Sequence, residues 1–331
     1  MQILILDIGC SFTKCYLFKD TLEIVDEFKV TTDISSPETL EACVREVLSK
    51  FDKHTYQAIF PLSFGEGVIY NNIIYEPTHN RESLIDNKYE QTGTPTDIKR
   101  DIGSAFQSLL TFPSYSDGPA LPVSTYIASR LAGVRINTWE LTHAGNSGML
   151  NISQRQWFVE LLKKHKCQPL PFSTEFISPA IIVGKTEKGV SIFAGGHDHS
   201  CISVFDPKPI IIAGTWVVIS FPEIVFLPRQ EEKVAGIRWA ITANGGFHKQ
   251  VVKKVSNPIT LSDMDYIVSI YKRMRVPEKS EVYVIGGYGE KLAPELDKLD
   301  SPYHFVAPPE SEVYQHRQTA KYAFRALELQ T

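Results

Sequence analysis

Two stretches far apart in this 331-residue chain open in the same way, each with an apolar run, a turn carrying glycine and hydroxyl residues, and a second apolar run. In the first, residues 2–6 and 14–18 flank Gly9 and Ser11, and residues 23–30 continue the pattern. In the second, residues 210–213 and 217–221 flank Gly214 and Thr215, after further apolar runs at 190–194 and 201–205. Short runs rich in Ile, Leu and Val, bounded by turn formers, read as buried strands. A chain of this length exceeds one compact core. The sequence therefore predicts an α/β protein of two sheet-and-helix halves, 1–189 and 190–331, duplicated in topology rather than in residue identity.

The elements between follow from local chemistry. Ser36 and Pro37 start a helix, because Ser caps the first amides and Pro suits the first turn. Leu40, Cys43, Val44, Val47, Leu48 and Phe51 then recur at helical spacing. A strand is predicted at 57–62. Asn71-Asn72 marks a hairpin between 68–70 and 73–75, since Asn tolerates the left-handed conformation. Residues 77–118 are polar and turn-rich, as in a surface excursion. Helices are predicted at 122–132, stopped by Gly133, and at 154–165, with Trp157, Leu161 and Leu162 inward. Later, residues 234–243 and 247–252 form a hairpin across Asn244-Gly245-Gly246, and helices at 262–274 and 310–329 flank a strand at 281–285.

Four motifs carry chemistry. Asp7-Ile8-Gly9-Cys10-Ser11-Phe12-Thr13-Lys14 lies between two strands, where backbone amides of a Gly/Ser turn can meet phosphate oxygens. A carboxylate at the end of the first strand suits Mg²⁺ held through water, and Lys14 offers a positive charge. The same residues also describe an ordinary hairpin turn. Gly195-Gly196-His197-Asp198-His199-Ser200-Cys201 places a carboxylate after two glycines, as a general base for a hydroxyl or as a helix N-cap. His197, His199 and Cys201 alternate as strand ligands to a metal would, but with no distant Cys/His pair to complete the set. Ala213-Gly214-Thr215-Trp216 repeats the logic of the first turn. Gly286-Gly287-Tyr288-Gly289 follows a strand and lets a nucleoside pack on bare backbone, without Rossmann spacing.

In their order and combination these motifs resemble the FGGY carbohydrate kinases of the actin-like and hexokinase-like ATPase superfamily. Ser129-Arg130-Leu131-Ala132-Gly133, Thr142, Met149-Leu150 and Trp157 add to the likeness. Gly195–Asp198 with Gly214-Thr215-Trp216 is most similar to the rhamnulokinase and fuculokinase branch. The resemblance implies a two-domain fold of duplicated ribonuclease H-like units around a cleft, with sugar and first phosphate loop on the N-terminal half and nucleotide on the C-terminal half. It implies ATP and Mg²⁺, with Asp7, Gly9, Ser11, Thr13 and Lys14 at one phosphate loop and Asp7 assisting the metal. Gly214 and Thr215 form the second loop, and Gly286 and Gly287 flank adenosine. It makes Asp198 the base, with His197, Glu66 and Arg81 toward a ketose, deoxyketose or polyol. Glu66 and Arg81 read equally as exposed polar residues. Homodimers are common in that family. The chain departs from the family in a short C-terminal half and in a last helix without the usual A-T-A-L-G-A-A run.

Composition limits the alternatives. A formal charge of −4 gives no electrostatic drive toward nucleic acid or acidic membrane. The five cysteines are scattered and include no C-x-x-C pair, which fits a reducing cytoplasm rather than a disulfide framework. No apolar run approaches membrane-spanning length. A second reading, from another class, is a degenerate kinase fold that binds sugar or nucleotide as a sensor or partner platform. A chaperone-type or cell-shape ATPase is disfavoured, because it needs no base aimed at a sugar hydroxyl.

Overall fold

The structure, a computed structural model, describes residues 1–65, 67–75, 89–95, 119–164, 173–204, 208–214, 216–255 and 259–330. β1 (Gln2–Ile8) is buried on both faces from Ile3 onward, as a central strand must be. It pairs antiparallel with β2 (Phe12–Lys19), and β2 pairs antiparallel with β3 (Ile24–Thr31). The chain returns through α1 (Pro37–Ser49) to lay β4 (Ala58–Ser63) parallel to β1. At the start of α1, Ser36 accepts the Thr39 amide at 3.2 Å and its own amide donates to the Thr39 hydroxyl at 3.1 Å. Ser36→Ala should lower stability by about 1 kcal/mol, read as a lower urea midpoint at unchanged slope.

The hairpin β5 (Val68–Tyr70) and β6 (Ile73–Tyr75) turns through Asn71 and Asn72 at φ 47° and 60°, as predicted. Helix α2 (Val123–Ala132) stops at Gly133, also as predicted, and a short α3 (Leu141–Asn146) follows. β7 (Ile182–Lys185), β8 (Ser191–Phe193) and β9 (Gly196–His197) then complete the first sheet. Its order is β7-β8-β4-β1-β2-β3, with β9 also paired to β4, so residues 191–197 belong to this sheet.

The second sheet repeats the plan. It takes β10 (Ile210–Ala213), β11 (Trp216–Glu223), then, after α4 (Gln230–Ala235), β12 (Arg238–Ile241) and β13 (Phe247–Lys254). Helix α5 (Leu261–Met274), β14 (Glu281–Ile285), α6 (Gly289–Asp297) and β15 (His304–Val306) complete it. The order is β12-β13-β11-β10-β14-β15. The run β3-β2-β1-β4-β8 has the same strand directions as β13-β11-β10-β14-β15: two antiparallel pairs followed by two parallel ones. The fold class is thus an α/β architecture of two sheets duplicated in topology, as the sequence predicts.

Alternation along the strands sets the layers. Leu4, Leu6, Ile8, Cys15 and Leu17 face α1 and α2. Ile3, Ile5, Tyr16 and Phe18 face the other way, against Ala320, Ala323, Phe324 and Leu327 of the last helix, α7 (Tyr314–Glu328). In the second sheet Ile211, Val217, Val282 and Val284 pack on Ile267, Tyr271 and Met274 of α5 and Leu292 and Leu296 of α6.

Four expectations change. Residues 199–204 form a 3-10 helix where 201–205 reads as a strand, because buried Cys201 and Ile202 close a turn beneath α7 rather than extend an edge. The stretch 234–243 divides into the end of α4 and the strand β12, parted by Gly236 at φ 67°, a left-handed cap inside an apolar run. Residues 154–165 divide likewise: Arg155 takes φ 52°, Gln156–Trp157 form a short strand, and helix begins at Val159. The last helix starts at Tyr314, after Glu310 at φ 53° breaks the preceding turn. Among the described residues, no helix is long and apolar enough to cross a membrane.

Candidate active site

Asp7 near the end of β1 and Asp198 just past β9 stand at the carboxyl ends of the two strands that flank β4 in parallel, where open α/β sheets place ligands. β4 carries both neighbours: Asp7 is in register with Leu62 and Gly196 with the same Leu62. The Asp198 amide then donates to the Ser63 carbonyl at 3.1 Å, which turns the chain into the 3-10 helix. The two carboxylates feel one another, and their environments pull them apart. Burial pushes the Asp198 carboxyl above its ordinary value; His199 opposes this and the charge of Asp7 adds to it. For Asp7 burial acts upward too, but the hydrogen bond and charge of His316, followed by Lys14, bring it below the usual carboxylate range. One carboxylate is held anionic and the other is biased toward accepting a proton, the division acid–base chemistry needs.

His316, on α7, is the residue that secures Asp7, with Nε2 2.9 Å from Oδ2 and its ring stacked 4.3 Å from that of Tyr16. Lys14 lies opposite Asp7 in the β1–β2 register, on the same face. Thr13 does not join them. It faces the α1 side, fully buried, and shares a hydrogen bond of 3.0 Å with the Thr32 hydroxyl. Gly9 donates to the Phe12 carbonyl at 3.0 Å, closing the turn, and Ser11 is exposed at its tip.

A buried polar network holds Asp198 from behind. The His197 amide donates to the Thr142 hydroxyl at 2.9 Å, and that hydroxyl donates to Glu140 at 2.6 Å. Glu140 also takes the amides of Thr142 and His143, each at 2.7 Å, and pairs with the His143 ring. His143 Nε2 reaches the Ser63 hydroxyl at 3.2 Å. On the other side, His197 Nδ1 lies 3.0 Å from the Ser200 hydroxyl, which lies 3.3 Å from His248 Nε2, and His248 Nδ1 is 3.0 Å from the Ser220 hydroxyl. This chain runs from His197 to β11 and β13 of the second sheet. Burial, followed by the neighbouring His199, His143, His248 and Arg238, holds His197 well below its ordinary value. Burial and then His199 take His248 down to about 3. Both rings are therefore neutral at physiological pH and serve as fixed hydrogen-bond partners.

Gly65 closes against this network: a Cβ there would stand 2.2 Å from His197 Nε2 and 2.7 Å from Asn146 Nδ2. Asn146 in turn accepts from Arg238 at 3.1 Å and Gln250 at 2.7 Å. Glu66 and Arg81 fall outside the described residues, as does Thr215.

The second turn lies where the duplicated topology puts it. Gly214 donates to the Trp216 carbonyl at 3.1 Å across the β10–β11 turn. Gly286 ends β14 beside it at φ 88°, and a Cβ there would press to 2.7 Å from the Ala213 carbonyl. Gly287 opens to free space, with no atom within 4 Å of where its Cβ would be. The Ser311 carbonyl accepts the Gly286 amide at 2.9 Å, and five residues later His316 meets Asp7. Five residues of extended chain span at most about 18 Å, so residues 311–316 bring the two ends of the site to one edge. A groove of about 560 Å³ near Ser178, Tyr322 and Gln330 is separate and contains none of the predicted site residues.

Sequence reasoning missed His316, Glu140, His143 and His248, and it named Ser200 without giving it a role. No motif marks these four, since they reach the site through long-range contacts such as His316 to Asp7, His143 to Ser63 and His248 to Ser200. Thr142 was visible within the stretch that resembles the kinases. The Cys201 reading as a metal ligand does not fit: Cys201 is buried, and burial, followed by Glu140 and Asp198, pushes its thiol well above the usual range.

No family model and no curated protein matches the sequence. Solved structures do match in fold. A ligand-bound xylulose kinase from Lactobacillus acidophilus superposes with a TM-score of 0.73 at 13% identity, covering 99% of this chain and 90% of that one. A carbohydrate kinase from Novosphingobium aromaticivorans gives 0.70 at 13%, over 97% and 93%. Plasmodium falciparum glycerol kinase with ADP gives 0.61 at 16%, over 83% and 63%. At such identities the likeness is one of fold.

Proposed function

We propose that this chain, whose fold is that of the sugar kinases, transfers the γ-phosphoryl group of ATP to a hydroxyl of a ketose, deoxyketose or polyol. The observation that carries the reading is the pair Asp7 and Asp198 at the ends of the two parallel strands that flank β4, one held anionic and the other raised. Asp198 takes the proton of the acceptor hydroxyl as its oxygen attacks phosphorus, and ADP leaves in line. His197, fixed through Ser200 and Thr142, and the bare backbone of Gly65 shape the acceptor side. Gly9 and Ser11 on one turn, with Gly214 and Thr215 on the other, present backbone and hydroxyl groups to the phosphates, while Gly286 and Gly287 leave room for the nucleoside. Asp7 is the carboxylate that would hold Mg²⁺ through water, and Lys14 adds positive charge beside it. Mg²⁺, when bound, neutralises charge on the transferring phosphates. The Gly195–Asp198 and Gly214-Thr215-Trp216 pair supports placing the chain near the rhamnulokinase and fuculokinase branch, with its two halves meeting after residue 197 rather than at 190, because β8 and β9 pair within the first sheet.

The His316–Asp7 pair favours a second reading, in which Asp7 is occupied by the protein itself and the fold acts as a sugar or nucleotide sensor. Incubation with Mg·ATP and a panel of ketoses and polyols separates the two. ADP release with any acceptor supports the kinase. Measurable ATP or sugar binding with no turnover on the whole panel would sink it and leave the sensor.

His316→Ala tests the clamp independently of turnover. Asp7, with its lowered folded value, contributes stability above its unfolded value of 3.8, and loses it as pH falls through the lowered folded value. Without His316 that contribution shrinks, so acid unfolding followed by circular dichroism should begin at higher pH than in the wild type.

A further inference from the structure

Alternation on a strand would spread His197, Asp198 and His199 over two faces. The 3-10 turn that begins at His199 gathers them instead, and one ligating atom from each lies within 4.8 Å of the others. Asp198 sits between the two rings, with Oδ1 3.5 Å from His197 Nε2 and Oδ2 3.6 Å from His199 Nε2. In a tetrahedral zinc site with bonds of 2.0–2.1 Å, neighbouring ligand atoms stand about 3.4 Å apart. Each ring is near that distance from one oxygen of Asp198, and the set, spread over up to 4.8 Å, would draw in around a shared ion. Two imidazoles and one carboxylate are the donor set of borderline-soft transition cations, not of Mg²⁺ or Ca²⁺.

The surroundings are those of a ligand set. His197 spends Nδ1 on Ser200, whose hydroxyl is tied to His248 and thence to Ser220, so Nε2 is the nitrogen left to bind. A second ring nitrogen engaged in this way is how metal-bound histidines are oriented. Glycine at position 65 spares that nitrogen a Cβ, which would stand 2.2 Å from it. The Asp198 side chain is 15% exposed and that of His199 21%, which leaves a path from solvent. His143, though its ring is 5.4 Å from that of His197, is committed to Glu140 and Ser63.

We propose that His197, Asp198 and His199 together hold one divalent transition cation of the zinc class, with coordination positions left for water or a hydroxyl. Its site stands whether or not the chain phosphorylates a sugar. Its consequence for turnover rests on the proposed role of Asp198: a cation on that carboxylate occupies the electron pair that would accept the proton, and transfer stops until the cation leaves.

The test is titration of the full chain with Co²⁺ alone, without nucleotide or sugar, followed by visible absorption. A saturable band with one equivalent, displaced by Zn²⁺ and carrying no thiolate charge-transfer feature, is expected. His199→Ala and Asp198→Asn should each weaken Co²⁺ at least tenfold, and Ser200→Ala, which removes the support of His197, by about tenfold. If His199→Ala fails to fold, Asp198→Asn carries the same comparison. No band at saturating Co²⁺, or a band and affinity unchanged in the Asp198 variant, overturns the site. ADP release without Co²⁺ binding would remove this site and leave the kinase; Co²⁺ binding without ADP release would do the reverse.

Discussion

Asp198→Asn should abolish most turnover while making the protein harder to unfold at neutral pH. General bases contribute roughly 10²–10⁴-fold to rate, so ADP release with the best acceptor should fall by about that factor. The amide keeps the shape and loses only the charge. In the wild type, burial raises the Asp198 carboxyl above its unfolded value of 3.8. A raised acid contributes its stability when protonated, below that unfolded value, and loses it as pH rises through the folded one. At neutral pH the native protein therefore carries an ionised carboxylate in a poor environment, and asparagine removes that cost. Calorimetry should show a higher Tm for the variant at pH 7 and a shrinking difference as pH approaches the carboxylate range. In wild-type turnover the same shift appears as activity that rises with pH through the raised value. Undiminished turnover in Asp198→Asn would discard the base assignment, whatever the calorimeter shows.

Gly195→Ala should be the most damaging single methyl group in the first sheet. Gly195 joins β8 to β9 at φ 76°, and a Cβ would lie 2.2 Å from the Pro61 carbonyl oxygen. That oxygen belongs to β4, whose Pro61 is in register with Leu6 of β1, so the obstacle is main chain in the middle of the sheet. Left-handed strain and a backbone clash act together, and a loss of roughly 4 kcal/mol is expected. Gly189 is the matched control. It has φ 81° and nothing within 4 Å of its Cβ position, so Gly189→Ala should cost only about 1 kcal/mol. Urea unfolding of the two variants separates strain from collision. Equal losses would mean that β4 yields more readily than its pairing suggests.

The fold was legible because its strongest signals are local. The Ile/Leu run of residues 2–6, the Asn71-Asn72 turn, the Ser36-Pro37 cap and the Gly133 stop each act within a few residues, and each element formed as expected. What escaped was decided at a distance. Cys201 and Ile202 have strand-like composition, but packing beneath α7 bends them into a 3-10 turn. Gly236 read as part of an apolar run, although it ends a helix. The site divided in the same way. Asp7 and Asp198 were found from glycine-punctuated turns, whereas His316 lies 309 residues from the Asp7 it holds. Thr13 shows the converse limit: the motif named it, and strand alternation turned its hydroxyl toward Thr32.

That 309-residue separation also bears on how the chain is made. One face of the first sheet, with Ile3, Ile5 and Phe18, is covered by Ala320, Ala323, Phe324 and Leu327 of α7. During synthesis the sheet emerges about 300 residues before its cover. A ribosome-bound nascent chain therefore carries an uncovered apolar sheet face for most of its elongation, a surface that invites chaperone capture and aggregation. The first strands can gather early in translation, but locking of Asp7 must wait for α7 and should coincide with the slowest phase of refolding.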